Sequence, residues 1–381
     1  MSASHDVDGP NLERDARVLI TGGAGFIGSH LANTLAERGV RVRVLDALEE
    51  QVHGSQTGFP AYLHDEVETQ WGDVRDRDAM RRALRGVTHV CHFAAAVGVG
   101  QSMYEIEKYT DINNRGTAVL LEELIRNPVQ RLVAASSMSV YGEGLYRRDG
   151  TLCEPAMRSR ERLMRGQWEL EEAGDVLSPV ATPETKRAAP ASVYALSKWD
   201  QEQLCLMFGA AYGVPAVALR FFNVYGPHQS LSNPYTGVLA IFAARCLNGN
   251  PPLLFEDGMQ RRDFVSVWDV AQACRLALAT PATGEAYNVG SGRSYSIVEV
   301  AQRMIEALNV GVEPVVTGKH RIGDIRHCFA DIDKAQRMLH YHPGVQFEDG
   351  LVELANWLSG VNAHDNFMHA AAELQRRGLT L

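Results

Sequence analysis

The first ordered pattern in the chain is Arg17-Val-Leu-Ile-Thr21, a short apolar run. Gly-Gly-Ala-Gly follows, and then Phe26 to Arg38, where Ile27, Leu31 and Leu35 recur at helical spacing. Val40 to Leu45 alternates apolar and polar residues, as a strand does, and ends at Asp46. The same reading predicts strands at Val67–Trp71, Val87–Phe93, Arg131–Ser136 and Val217–Phe221. It predicts helices at Asp76–Leu84, at Tyr104–Asn127, which stops before Pro128, and at Tyr194–Tyr212. Strands alternating with helices predict an α/β fold with a parallel sheet covered on both faces.

Residues 145–190 break this rhythm. They are rich in Arg, Glu, Pro and Gly and carry no clean strand period, so they read as an insertion with one short helix near Arg158–Glu172. From about Pro227 short strands and helices mix, with amphipathic helices expected at Ile297–Leu308 and Phe347–Leu358. His364–Leu381 reads as a helix packed on the surface or on a partner. The expected division is a loose tail over 1–15, a first domain over 16–225, a second over 226–360 interleaved with the first, and a C-terminal helical tail over 361–381.

Composition narrows the function. The 381 residues hold 37 Lys plus Arg against 46 Asp plus Glu, a net charge of -9, which argues against broad nucleic-acid binding. A few local arginines still suffice for an anionic small ligand. None of the six cysteines forms a CxxC pair or stands near a partner at metal-ligand spacing, so neither a metal site nor a disulfide framework is expected. Reduced thiols and a cytoplasmic location follow as the expectation. Met1 to Arg14 lacks the apolar core of a signal peptide, and no apolar run reaches the ~18 residues of a membrane span.

The turn Thr21-Gly-Gly-Ala-Gly-Phe-Ile-Gly28 places glycines at 22, 25 and 28 between a strand and a helix. That spacing lets backbone approach a pyrophosphate at a helix N-terminus, and Asp46 closing the next strand suits the adenosine ribose hydroxyls. A carboxylate there repels a 2′-phosphate, so NAD is favoured over NADP. The fold expected is therefore a doubly wound parallel sheet of Rossmann type with a smaller mixed α/β C-terminal substrate domain. Asp73-Val74 follows the third strand, where a carboxylate can meet the adenine amino group. His92-Phe-Ala-Ala-Ala96 ends the fourth strand with small residues, and His92 itself reads as a packed histidine.

Tyr194-Ala-Leu-Ser-Lys198 puts a phenol and an ammonium on one helix face. A cation beside a phenol favours the phenolate and makes a general base for a sugar or alcohol hydroxyl. Ala135-Ser136-Ser137-Met138-Ser139-Val140-Tyr141-Gly142 brings hydroxyls to the carboxyl end of the fifth strand, with Ser137 the candidate partner of the reacting hydroxyl.

Together with Arg220-Phe-Phe-Asn-Val-Tyr-Gly-Pro227, these motifs resemble the extended short-chain dehydrogenase/reductase family. Within it they are similar to nucleotide-diphosphate-sugar epimerases and dehydratases, from about residue 16 to 360 apart from the insertion. The resemblance implies bound NAD, a nucleotide-diphosphate-sugar substrate and catalysis by Ser137, Tyr194 and Lys198. It implies cofactor contacts from Gly22, Gly25, Phe26 and Ile27 in the turn, from Asp46, and from Asp73 and Val74. Phe93, Ala94 and Ala95, then Asn113 and Phe221, complete that set with Tyr194 and Lys198. It also implies a homodimer through a four-helix contact made by the two long helices.

The family's dehydratases carry Asp and Glu in the two positions after the catalytic hydroxyl. Here they are Met138 and Ser139, which cannot transfer protons at neutral pH, so dehydration is disfavoured, and Ser139 counts equally against decarboxylation. A 4-epimerase, working through a transient 4-keto sugar, needs only the hydroxyl, the Tyr–Lys pair and a roomy pocket. Val97 stands where the galactose epimerases have a Lys. On the substrate side the resemblance implies Val97, Met138, Ser139 and Asn223, then Phe255 at the nucleobase, and Arg262 and Arg321 with Asp324 at the diphosphate. The segments 195–202 and 230–237 resemble epimerases of dTDP-6-deoxyhexoses of the L-rhamnose type, which brings Ser232, Asn233 and Tyr235 to the sugar. The alternatives are a UDP-hexose or UDP-uronate 4-epimerase, a 4-keto-sugar reductase, and a non-catalytic NAD-binding regulator. The insertion is read as a lid over the sugar or as a surface elaboration.

Overall fold

The computed structural model describes residues 12–13, 15–55, 58–155, 157–231, 233, 235, 237–361 and 365–380. Nearly all of the expected 1–15 tail, and Ser232, lie outside the described residues.

Seven parallel strands form the central sheet: β1 (Arg17–Thr21), β2 (Arg41–Asp46), β3 (Glu68–Trp71), β4 (His89–His92), β5 (Arg131–Ser137), β6 (Ala216–Phe221) and β7 (Glu285–Val289). Their spatial order is β7-β6-β5-β4-β1-β2-β3, every pair parallel, so the order reverses between β1 and β4. A ligand crevice opens at the carboxyl ends of the strands at such a reversal.

Alternation along the strands sends side chains to both faces. Val18 and Ile20 join one core with Leu31 and Leu35 of α1 (Phe26–Ala36), while Leu19 joins another. That second core holds Met80 of α2 (Arg77–Ala83), Leu120 of α3 (Gly116–Arg126) and Phe208 of α4 (Val193–Tyr212). Both faces are therefore apolar, as a parallel sheet requires.

The helix expected at Tyr104–Asn127 runs from Ile106 to Arg126 and contains a π turn at Thr110–Arg115. Helical periodicity cannot reveal the extra residue. It turns Asn113 inward, where Oδ1 accepts from the Ala96 N–H (2.7 Å) and Nδ2 donates to Ala96 O (3.1 Å) and Ser197 Oγ (2.8 Å).

The insertion has more strand than its composition suggested. Leu145–Arg148, Thr151–Cys153 and Ser178–Val180 form an antiparallel sheet beside a one-turn helix at Arg160–Met164. Strands of three or four residues are too short to show a period.

Beyond residue 226 come α5 (Val238–Leu247), α6 (Val267–Ala279), α7 (Ile297–Leu308), α8 (Phe347–Leu358) and α9 (Phe367–Arg376). The bounds of α7 and α8 are those the apolar spacing predicts. Ser296 and Glu299 close a capping box at the start of α7. α5, α7 and α8 share a third core with Tyr225, Phe264 and Phe347. α6 and β7 instead return to the main sheet, α6 packing on α1, so the chain beyond 226 contributes to both bodies. Among the described residues no helix is long and apolar enough to cross a membrane. All six cysteines are unpaired.

Candidate active site

The crevice holds two adjoining cavities, of about 420 and about 320 Å³. The larger begins at the glycine turn. Gly22 has φ +69, and a Cβ there would meet the Ala94 backbone nitrogen at 2.8 Å; on Gly28 it would strike Gly22 O. Only glycine permits this approach. α1 starts at Gly25 with no side-chain cap, so its first-turn N–H groups face the cavity lined by Gly25, Phe26 and Ile27. That cradle fits an anionic pyrophosphate.

Asp46 has two holders: its Oδ2 accepts from the Ala24 N–H (3.0 Å) and its Oδ1 from the Leu48 N–H (2.9 Å), while His53 Nε2 lies 3.6 Å away. It shapes the turn and lines the cavity. Asp73 and Val74 line it too. Burial alone would raise the Asp73 carboxyl, but hydrogen bonds and charge from Arg75 win and hold it below its usual range. Phe93, Ala94, Ala95 and Phe221 complete the wall, whereas Asn113 lines neither cavity and acts on it only through Ala96.

Ser137, Tyr194, Val97 and Asn223 line both cavities, so the expected reacting pair stands at their junction. Ser192 caps α4 by accepting from the Ala195 N–H, and the Tyr194 N–H donates to Ser102 Oγ (3.0 Å). Burial raises the Tyr194 phenol, and its hydrogen bond with Ser137 pulls it back only in part. The depression expected from Lys198 is not seen in the chain alone. The Lys198 ammonium donates instead to Gln201 Oε1 (2.8 Å), and burial pushes its own pKa down to about 8. Gln201 in turn donates to Thr117 Oγ1 (2.9 Å), which is bonded to His92 Nε2 (2.9 Å). Burial first, then the Lys198 charge, pushes His92 down to about 3, so it is a neutral packed histidine.

Lys198 and Asn233 line the cofactor cavity and not the second one. Asn233 Oδ1 accepts from Gln51 Nε2 (3.2 Å), which places it on the larger-cavity side of the junction, whereas Tyr235, expected with it, lines the second cavity. The second cavity brings together Met138, Ser139, Tyr235, Phe255, Arg262, Arg321 and Asp324. Arg262 donates to the carbonyls of Ile325 (2.6 Å) and Arg326 (2.8 Å), which aim the guanidinium without neutralising it. Arg321 pairs with Asp324 (2.8 Å) and lies over the Phe255 ring at 4.4 Å. Asn223 Oδ1 and Gln260 Oε1 are buried at this cavity with no hydrogen-bond partner. Orphaned buried acceptors mark places for ligand donors.

Sequence reasoning missed three contributions. Gln260 stands beside the Arg261-Arg262 motif but carries no pattern of its own. Gln201 follows Lys198 by three residues on the same helix. The α9 side chains Phe367, Ala370, Ala371 and Leu374 form a wall of the second cavity, and only tertiary contact reveals them. No described residue of 145–190 lines either cavity. The insertion instead grips the 320–328 loop: Glu169 pairs with Arg326 and with His327 (3.1 Å), and Arg158 pairs with Glu256 (2.8 Å), which itself pairs with Arg326 (2.8 Å).

Residues 18–161 and 171–290 match the profile of the NAD dependent epimerase/dehydratase family. The chain is 36% identical over 349 residues to a dTDP-L-rhamnose 4-epimerase of Burkholderia thailandensis, covering 90% of this chain and 95% of that protein. A Thermus thermophilus UDP-glucose 4-epimerase in complex with NAD superposes with a TM-score of 0.72 at 33% identity, over 91% of this chain and 100% of that one. A Thermotoga maritima UDP-glucose 4-epimerase with UDP-glucose superposes with a TM-score of 0.74 at 30% identity, over 90% and 98%.

Proposed function

Because this chain belongs to the NAD-dependent epimerase/dehydratase family, we propose that it is a nucleotide-sugar 4-epimerase acting on a dTDP-6-deoxyhexose of the L-rhamnose type. The single observation that carries the reaction type is the Ser137–Tyr194 pair at the junction of the two cavities. NAD, bound in the larger cavity, supplies hydride acceptance and return at the sugar C4. Tyr194 takes the proton of the 4-hydroxyl and gives it back, and Ser137 orients that hydroxyl. Lys198 keeps a positive charge beside the cofactor half of the site. Arg262 and Arg321 hold the diphosphate, with Asn223 accepting from the substrate.

The rest of the second cavity argues against elimination or decarboxylation. Among its described lining residues the one carboxylate is Asp324, committed to Arg321. Met138 and Ser139 offer no proton relay. Val97 and Met138 beside the reacting pair suit an uncharged 6-deoxy sugar, which supports the finer substrate reading together with the 36% relative. The same reading includes a homodimer through the helix pair that contains α3 and α4.

Proton NMR of the purified protein with dTDP-L-rhamnose, UDP-glucose, UDP-glucuronate or UDP-N-acetylglucosamine, without added cofactor, tests this. A mixture of two C4 epimers from the dTDP sugar alone, absent with Tyr194→Phe, is the expected result. Product formed only from a 4-keto sugar with stoichiometric reduced cofactor would instead identify a reductase.

A further inference from the structure

The family match ends at residue 290, yet the chain beyond it reaches the second cavity three times, through Ile297 at the start of α7, through the loop carrying Arg321 and through α9. α9 does not lie loosely on the surface. At its front end Asp365 Oδ2 accepts from Arg245 Nη1 (3.1 Å) and Asn250 Nδ2 (2.9 Å). Arg245 also covers the Phe367 ring at 5.2 Å. At its back end the Ile322 N–H donates to Leu379 O (2.9 Å), and Arg321 bridges to Thr380. Arg377 lies over the Tyr104 ring at 4.2 Å, and Tyr104 is hydrogen-bonded to Tyr235 (2.6 Å), itself a lining residue.

The helix spans the length of the cavity wall. Phe367 lies 6.4 Å from the Phe255 ring, next to Arg321. Leu374 packs so closely on Gly100 that a Cβ there would meet it at 3.3 Å. Between these ends Ala370 and Ala371 face the cavity with small apolar side chains. Gln260 Oε1 is, with Asn223 Oδ1, an unpartnered acceptor in the same cavity, and its amide is fixed by a bond from Nε2 to Phe255 O (2.9 Å).

We propose that α9 is a substrate-binding element that closes the nucleotide end of the second cavity, its Ala370–Ala371 face bearing on the base of a pyrimidine nucleoside diphosphate. A pyrimidine with carbonyls flanking an N–H presents an apolar ring to such a wall and one donor to the free Gln260 oxygen. The anion meets Arg262 and Arg321. This inference rests on reading the cavity as a nucleotide-sugar site, but it does not require epimerisation.

The test is calorimetric titration of NAD-loaded protein with thymidine diphosphate and with uridine diphosphate. Ala371→Trp fills the space that the base takes, without removing any hydrogen bond. The expected result is a dissociation constant raised by about tenfold or more, with NAD affinity and melting temperature as in the unaltered chain. Ala371→Leu, a milder change, is expected to raise it by about threefold and guards against a misfolded Trp variant. Unchanged nucleotide binding in both variants overturns the inference. Weakened binding in the variants, with no epimerisation of any sugar by the unaltered chain, keeps α9 as the wall and removes the 4-epimerase reading. An unaltered chain that binds neither diphosphate overturns both.

Discussion

Lys198 shows how far a single residue is bent by its surroundings. It is buried, it bonds Gln201, and its pKa is pushed from 10.5 down to about 8 by burial. Between those values the folded chain holds fewer protons than the unfolded one, so the cost of burying this charge is full below pH 8 and fades towards 10.5. Lys198→Met removes a cost on the order of 3 kcal/mol at neutral pH and with it the cation beside the cofactor site. The expected outcome is a higher melting temperature at neutral pH, a gain that shrinks as pH approaches 10.5, and loss of epimerisation. A variant that melts lower at neutral pH would show that the Gln201 bond outweighs charge burial. Tyr194, Lys198 and Ser137 were legible in the chain because each sits in a motif whose spacing implies a shared face or strand end. Gln260 was not, because an orphaned acceptor is defined by what fails to surround it.

At the scale of elements, periodicity carried the helices and central strands, and failed where an element is short or irregular. The π turn at Thr110–Arg115 adds one residue to a helix whose apolar stripe looks continuous, and that residue aims Asn113 at Ala96. The short insertion strands have too few residues to alternate, and their role emerges from ion pairs. Glu169 reaches Arg326 and His327, and those bonds, His327 first, hold its carboxyl from 4.5 down to about 2. The lowered value means that its contribution to stability is complete above 4.5 and is lost as pH falls through about 2. Arg326 and Ile325 supply the carbonyls that aim Arg262, so the insertion supports the Arg262 side of the second cavity at one remove. Glu169→Gln is expected to lower the melting temperature at neutral pH and by a vanishing amount near pH 2, the difference shifting between them as its partner His327 also titrates. The same variant is expected to raise KM for the nucleotide sugar with kcat little changed. A pH-independent melting difference would show that the carboxylate charge is not what Arg326 and His327 feel.

The whole molecule is one sheet to which both halves of the chain return, because α6 and β7 complete a core that α1 begins. The sequence reading expects the second domain to interleave with the first but does not place the strand that does so, since Glu285–Val289 is a five-residue strand whose partner lies far back in the chain. The outer surface poses the remaining question. Ile106, Ile125, Leu196 and Met207 are about half exposed on the helix pair that contains α3 and α4. Leu196 and Met207 are separated by three helical turns, which returns them to one stripe of α4. An exposed apolar face of this kind would suit a two-fold contact in which each helix pair meets its copy. Each chain carries a net charge of -9, so approach of two copies is opposed by a repulsion that salt screens. Sedimentation at micromolar concentration is expected to give twice the 41.9 kDa chain mass, with a dissociation constant that falls as salt is raised. Leu196→Glu with Met207→Glu places two like charges on the two-fold face and is expected to give the 41.9 kDa species at every salt concentration, still able to bind NAD. Tyr194 lies two residues from Leu196 on the same helix, so the monomer is also expected to turn over more slowly, its catalytic turn having lost the partner that braces it. A chain that sediments at 41.9 kDa before any substitution would mean that this apolar stripe has another occupant.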